Sequence, residues 1–428
     1  MSQQGRENGT SAAPITTTTI ELRLDVAPAN DVTPRRGPLG LPRAYWVLWA
    51  GTLLNRLGGT VFFLLGVYLT RERGLRPELA GLIISLNAAG GLFAGPVGGA
   101  LTDRVGRRAT LLLGTATAGT LMLALGFARS TFAIVAIAPG LGFFTDLCRP
   151  PVQAAVADLV PPADRPRAYG LLYWAFNLGF TAAAAVGGAL AEHHFTLLFV
   201  LDGTTTLAYG AIVLFGLPET RPADPAGKAP ILARFAAPFR DRGFVAFTSV
   251  QLLLLLAFAQ VLLALPLDMR AHGLGTGAIG RMFAFNGLLI VFLQPLALKT
   301  IRGSGGVRLL AAGAAFAGLG LGATALARGA GGFAAATAIW TAGEICFSIA
   351  VPTVLANLAP VHQRGTYQGT YQLAWGTAGT LAPVVGSAVL ADLGRGALWL
   401  GCLCAGLLAA ALHLRITARF LVRAGSRR

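Results

Sequence analysis

Charge is what this chain has least of. Asp, Glu, Lys and Arg make up 12% of its 428 residues, against roughly 25% in an ordinary soluble domain, too little to coat a water-facing surface. Lysine is almost absent, with Lys228 and Lys299 the only two. The five histidines (His193, His194, His272, His362, His413) sit mostly in loops or at helix ends and show no ligand spacing. The four cysteines (Cys148, Cys346, Cys402, Cys404) lie in apolar stretches, as buried small residues do, and suggest neither a disulfide nor a metal site. No Gly-x-Ser-x-Gly elbow and no Walker loop occurs. The chain therefore does not read as an enzyme, needs no cofactor or metal, and carries no ATP site of its own. Residues 1–40 are polar and lack an apolar core of signal-peptide type, so they read as a disordered tail.

What is present is apolar. Hydrophobic residues make up 54% and the mean hydropathy is +0.65. Runs of about 20 apolar residues can each cross a bilayer as a helix. Such runs fall near 44–70, 78–101, 108–128, 131–157, 166–191 and 194–217, then near 243–268, 276–298, 306–327, 331–357, 364–391 and 395–418. Between the two sets, Pro218 to Arg242 is rich in Pro and charge. The pattern predicts an all-α membrane protein of twelve transmembrane helices in two pseudo-symmetric six-helix bundles. Its parts are a cytoplasmic tail (1–40), a first bundle (41–217), a cytoplasmic linker (218–242), a second bundle (243–420) and a short tail (421–428).

The net charge of +16 is scattered over short loops instead of one folded face, which argues against nucleic acid. Most Lys and Arg fall in the tails and the even-numbered loops, with Arg56, Arg149 and Arg281 inside apolar spans. Basic loops stay on the cytoplasmic side, so both termini are predicted cytoplasmic in a multi-pass cell-membrane protein, with some attraction to anionic lipid. The two halves also match at one constant offset: Asn87 with Asn286, Pro96 with Pro295, Pro161 with Pro360, Arg165 with Arg364, Gly170 with Gly369. Parallel repeats of this kind enclose a substrate site near the midplane and alternate access by rocking.

The sharpest motif joins the second and third spans, Gly99-Ala100-Leu101-Thr102-Asp103-Arg104-Val105-Gly106-Arg107-Arg108. Glycines permit a tight turn and close helix approach, and an acid among three arginines can form pairs that make and break. With this motif the chain resembles the major facilitator superfamily over residues 40–420. The resemblance implies a cytoplasmic gate latch, with Asp103 meeting the start of the eleventh helix. The second-half copy keeps Pro295 and Gly305 but has Arg302 where Asp103 would map. On the fifth span, Gly170, Gly179, Gly187 and Gly188 are similar to the family's antiporter motif, although Ala183-Ala184 stands where Gly-Pro is usual; small-residue packing alone accounts for the same pattern. The Tyr173-Trp174-Ala175-Phe176-Asn177-Leu178 segment, Asp158 and Gly343-Glu344-Ile345 resemble proton-driven multidrug antiporters of the lactococcal type. In that group the acids matching Asp103, Asp158 and Glu344 take part in proton coupling and substrate binding.

An ionisable group near the bilayer centre costs about 2.5–3.5 kcal/mol on insertion scales, so it faces a cavity or a partner. Glu344 has no basic residue within a helical turn and is the first candidate for proton carrier, with Asp158 and Asp146 beside it. Asp146 and Arg149 can pair on one helix face. Arg56 lacks an acid in its own span, leaving Asp146, Asp202 or Glu344 as partners. Asp158 can meet Arg104, Arg107 or Arg108. Tyr169, Tyr173, Asn177, Tyr371, Gln372 and Trp375, with Asn87 and Asn286, are candidate cavity walls for bulky amphiphilic or cationic molecules. The expected function is proton-coupled efflux of drug-like or lipophilic small molecules by a monomer. A proton symporter importing a metabolite, or a receptor reusing the fold, are the alternatives.

Overall fold

The computed structural model describes residues 37–191, 195–222, 231–300 and 306–417. Residues 1–36 of the proposed first tail, all of the proposed second tail (421–428) and Arg302 lie outside the described residues. The described residues are almost all helical and contain no β-strand. Among the described residues, ten helices are long and apolar enough to cross a membrane. Two further spans complete twelve: α1 (Arg43–Gly58) continued by α2 (Val61–Val67), and α7 (Arg165–Ala191).

The remaining spans of the first half are α3 (Pro77–Arg104), α4 (Arg107–Phe127), α5 (Thr131–Leu147) continued by α6 (Arg149–Leu159), and α8 (Phe195–Gly216). After a short helix in the linker, α9 (Ile231–Arg240), the second half follows. Its spans are α10 (Arg242–Phe258) continued by α11 (Ala264–Ala271), α12 (Thr276–Thr300), α13 (Gly306–Ala323), α14 (Ala330–Leu358), α15 (Arg364–Asp392) and α16 (Gly394–Leu412).

Three spans expected as single rods are broken. The first bends at Gly58-Gly59-Thr60, where Gly59 leaves helical geometry. The fourth breaks at Cys148, just before Pro150-Pro151, because proline removes a backbone donor and clashes with the preceding turn. The seventh passes through a 3-10 turn at Ala259–Val261 ahead of Pro266. Pro96, Pro295, Pro352 and Pro383 instead stay inside continuous helices, where packed neighbours and side chains can satisfy the freed carbonyls.

Among the described residues, buried apolar side chains form four clusters, two mainly in each half. One first-half cluster takes in Ala356 of α14, and Tyr173 of α7 packs onto a second-half cluster. The halves thus share apolar packing at two levels.

Candidate functional site

Glu344 sits midway along α14. Gly343 before it lets α13 come close, since a Cβ there would collide with the backbone of Ala317. That packing fixes the side of α14 on which the acid emerges. The Tyr173 hydroxyl donates to Glu344 Oε1 at 2.6 Å and Asn286 Nδ2 donates to Oε2 at 2.9 Å. Asn286 also donates to Thr341 Oγ1 at 3.0 Å. Among the described residues no Lys, Arg or His lies within ion-pair distance of the carboxylate.

Tyr173 belongs to the first half, so the acid is gripped from across the boundary between halves. Two more bonds cross beside it: Trp174 Nε1 to the Val291 carbonyl, 2.8 Å, and Gln294 Nε2 to the Gly170 carbonyl, 2.8 Å. A carboxylate held only by neutral donors can take a proton without breaking an ion pair. Once protonated, one oxygen becomes a donor. The phenol oxygen can accept that proton and the amide nitrogen cannot, so the Tyr173 side is the one that protonation can reorganise.

Arg56 forms no ion pair among the described residues. Its guanidinium lies over the Phe176 ring, 4.4 Å from the centroid, a cation–π contact. Phe176 stacks on Tyr173 at 6.3 Å and 1°, so an aromatic ladder on α7 leads from Arg56 to the hydroxyl that holds Glu344. The expected partner Asp146 is instead taken by Arg149, 2.7 Å away. Asp202 is buried on α8.

Several expected cavity walls are engaged in hydrogen bonds or packing. Asn87 gives its amide to the Ala138 carbonyl at 3.0 Å, tying α3 to α5. Asn177 is buried and donates to the Tyr173 carbonyl of its own helix. Tyr371 is buried in the second-half core against Phe247, and Tyr169 bonds the Gln153 carbonyl. Trp375 is 40% exposed. Gln372 packs beside Gly95 of α3. Arg281 is exposed near the start of α12.

A second polar cluster lies at the end carrying the 99–108 motif, called here the basic end. The backbones of α3 and α15 touch there through Gly95, Gly99, Gly365 and Gly369: a Cβ at Gly99 would collide with the Gly365 carbonyl, and one at Gly369 with that of Gly95. Buried Asp103 accepts from Gly365 N (2.9 Å), Thr366 N (2.6 Å) and Thr366 Oγ1 (2.7 Å), at the positive end of α15. Arg107, fully buried, lies 3.4 Å from Asp103 and 2.8 Å from Asp158. Asp158 also accepts from Arg364 of the second half at 2.6 Å. At the matching repeat position, Arg165 of the first half donates to Asn357 of the second at 2.9 Å.

Glu219, which reads in the sequence as part of a hydrophilic linker, folds back over the motif. It accepts from Arg107 N at 2.8 Å and Arg108 N at 3.2 Å. Gly106, at φ +128°, leaves room for that carboxylate where any Cβ would strike it. Arg108 reaches the Leu214 carbonyl, and the Arg104 carbonyl accepts from Arg221. On α7, Gly179 lets α1 pack tightly at Arg56, and Gly170 faces Leu298 of α12. Gly187 and Gly188 lie in α7, but their packing falls outside the described residues.

A model of the family described as Major Facilitator Superfamily matches residues 48–383. The chain is 26% identical over 379 residues to the uncharacterized MFS-type transporter YttB of Bacillus subtilis, covering 85% of this chain and 92% of that one. It is 25% identical over 345 residues to the multidrug resistance protein MdtH of Escherichia coli, covering 79% and 83%. The human organic anion transporter MFSD10 superposes with a TM-score of 0.75 at 20% identity, covering 87% of this chain and 99% of that one. A bacterial homologue of the iron transporter ferroportin, outward-facing, gives 0.70 at 18%, covering 88% and 100%.

Proposed function

The chain belongs to the major facilitator superfamily and is a transporter, and from that premise we propose that it exports drug-like or lipophilic small molecules in exchange for protons. The observation that carries this reading is Glu344, an acid without a basic partner among the described residues, bonded across the two halves by Tyr173. Cargo and proton compete for it: the deprotonated acid accepts cargo, and protonation releases it. A cationic cargo suits this acid, because no basic side chain among the described residues lies within ion-pair distance to compete for it. MdtH, a multidrug resistance protein similar over 79% of this chain, supports the cargo class.

In this reading the basic end and both termini face the cytoplasm of a cell-membrane protein working as a monomer. The cluster around Asp103, Asp158 and Arg364 is the latch that closes the pathway on that side. One elementary charge moving through 100 mV is worth about 2.3 kcal/mol, about fiftyfold accumulation.

Inverted vesicles test the reading. An inside-acid gradient is expected to drive accumulation of a lipophilic cationic dye such as ethidium, and Glu344→Gln to abolish it at unchanged expression. Gradient-driven uptake into intact cells without efflux identifies a symporter instead, and binding without flux a receptor.

A further inference from the structure

Helix α9 lies outside the spans at the basic end, packed against α3, α10 and α15. Phe235 and Phe239 fall one turn apart on it, their ring centroids 6.2 Å from each other. Phe235 is half-buried and Pro238 buried, yet Phe239 is 54% exposed. Beside that ring, Arg240 and Arg242 are both exposed and neither makes an ion pair among the described residues.

The acid between them is turned inward. Asp241 Oδ1 accepts from Gly243 N at 2.8 Å and Phe244 N at 3.3 Å, capping α10. Its Oδ2 accepts the Tyr367 hydroxyl at 2.9 Å. Asp241 is thus spent on the fold, and the two arginines keep their charge for something outside the protein. An aromatic ring flanked by free cations on a short amphipathic helix fits the boundary of an anionic lipid leaflet, ring among the upper acyl carbons and guanidinium groups on phosphates.

We propose that α9 docks on anionic phospholipid headgroups at the basic end, and that Asp241–Tyr367 links the docked helix to the latch. Tyr367 stands one residue beyond Thr366, which Asp103 holds. A leaflet that fixes α9 therefore holds the first turn of α15 where Asp103 can reach it. This coupling does not depend on which molecule is carried or on the proton role of Glu344.

The test uses the full chain with its four cysteines replaced by alanine and Phe239→Cys labelled with nitrobenzoxadiazole, an apolar ring in place of the native one. It is reconstituted in phosphatidylcholine vesicles with or without phosphatidylglycerol. Each arginine near an anionic surface is worth about 1 kcal/mol, about fivefold in the docked fraction. Blue-shifted emission and quenching by acyl-brominated lipid are expected to increase with phosphatidylglycerol, and the pair Arg240→Gln, Arg242→Gln to remove the increase. Identical emission in the two lipids, from the same labelled chain, overturns docking.

Spin labels at the exposed Val105 and Val361, one on each half, read the latch. Phosphatidylglycerol is expected to enrich the short distance, and Tyr367→Phe to cancel that enrichment while leaving docking intact. An enrichment that survives Tyr367→Phe overturns the link.

Discussion

Among single residues, Tyr173 separates proton coupling from mere binding. A hydrogen bond to a charged group contributes about 1.5–3 kcal/mol. Among the described residues, Tyr173→Phe removes the only such bond to Glu344 from the first half and keeps the ring stacked on Phe176. Gradient-driven flux is expected to fall about tenfold or more, while gradient-free counterflow of the same dye persists; equal loss of both would mean that Tyr173 only shapes the cavity. The acid itself was legible in the sequence, because a lone carboxyl in a long apolar run is costly. Its holders were less so. Asn87 and Asn286 occupy matching repeat positions, yet one bonds a carbonyl of its own half and the other the acid. A repeat preserves position, and the neighbouring helix decides what the amide meets. Arg56 is a related case: the neighbouring helix offers its cation the Phe176 ring, which no pattern of acids in the sequence reveals.

For pairs of elements, the proposed latch sets α3 against α15. Glycine allows these backbones to touch, and overpacking a tight contact typically costs about 1–3 kcal/mol. Gly99→Val is therefore expected to lower the closed population about fivefold or more. A cysteine replacing buried Thr102 reads this directly: its labelling by a permeant maleimide accelerates if the contact opens, and an unchanged rate would show that the contact does not govern closure. The motif that makes this contact was plain in the sequence. Glu219 was not, since proline and charge in a linker read as solvated chain. What drew it back is the amides of Arg107 and Arg108, left without helical partners at the start of α4. The breaks in the first and seventh spans were equally hidden, because hydropathy measures how apolar a segment is and not whether its backbone is straight.

Across the whole molecule, the two halves exchange arginines: Arg364 reaches Asp158, and Arg165 reaches Asn357. Only one exchange is ionic. A guanidinium attracts a carboxylate by a full opposite charge where a neutral amide oxygen offers only a dipole, so Asn357→Asp is expected to strengthen closure and slow turnover, with spin-label distances across the basic end narrowing to the short population. Twelve helices in two bundles could be read from hydropathy and the internal repeat. The exchange could not, since an arginine beginning a helix is commonplace until its opposite number is placed. These ties run through side chains on packed helices of the two halves. Two separately translated fragments, one for each half, are accordingly expected to find each other in the bilayer when co-expressed and to regain transport, making this carrier a heterodimer that happens to be encoded by one reading frame.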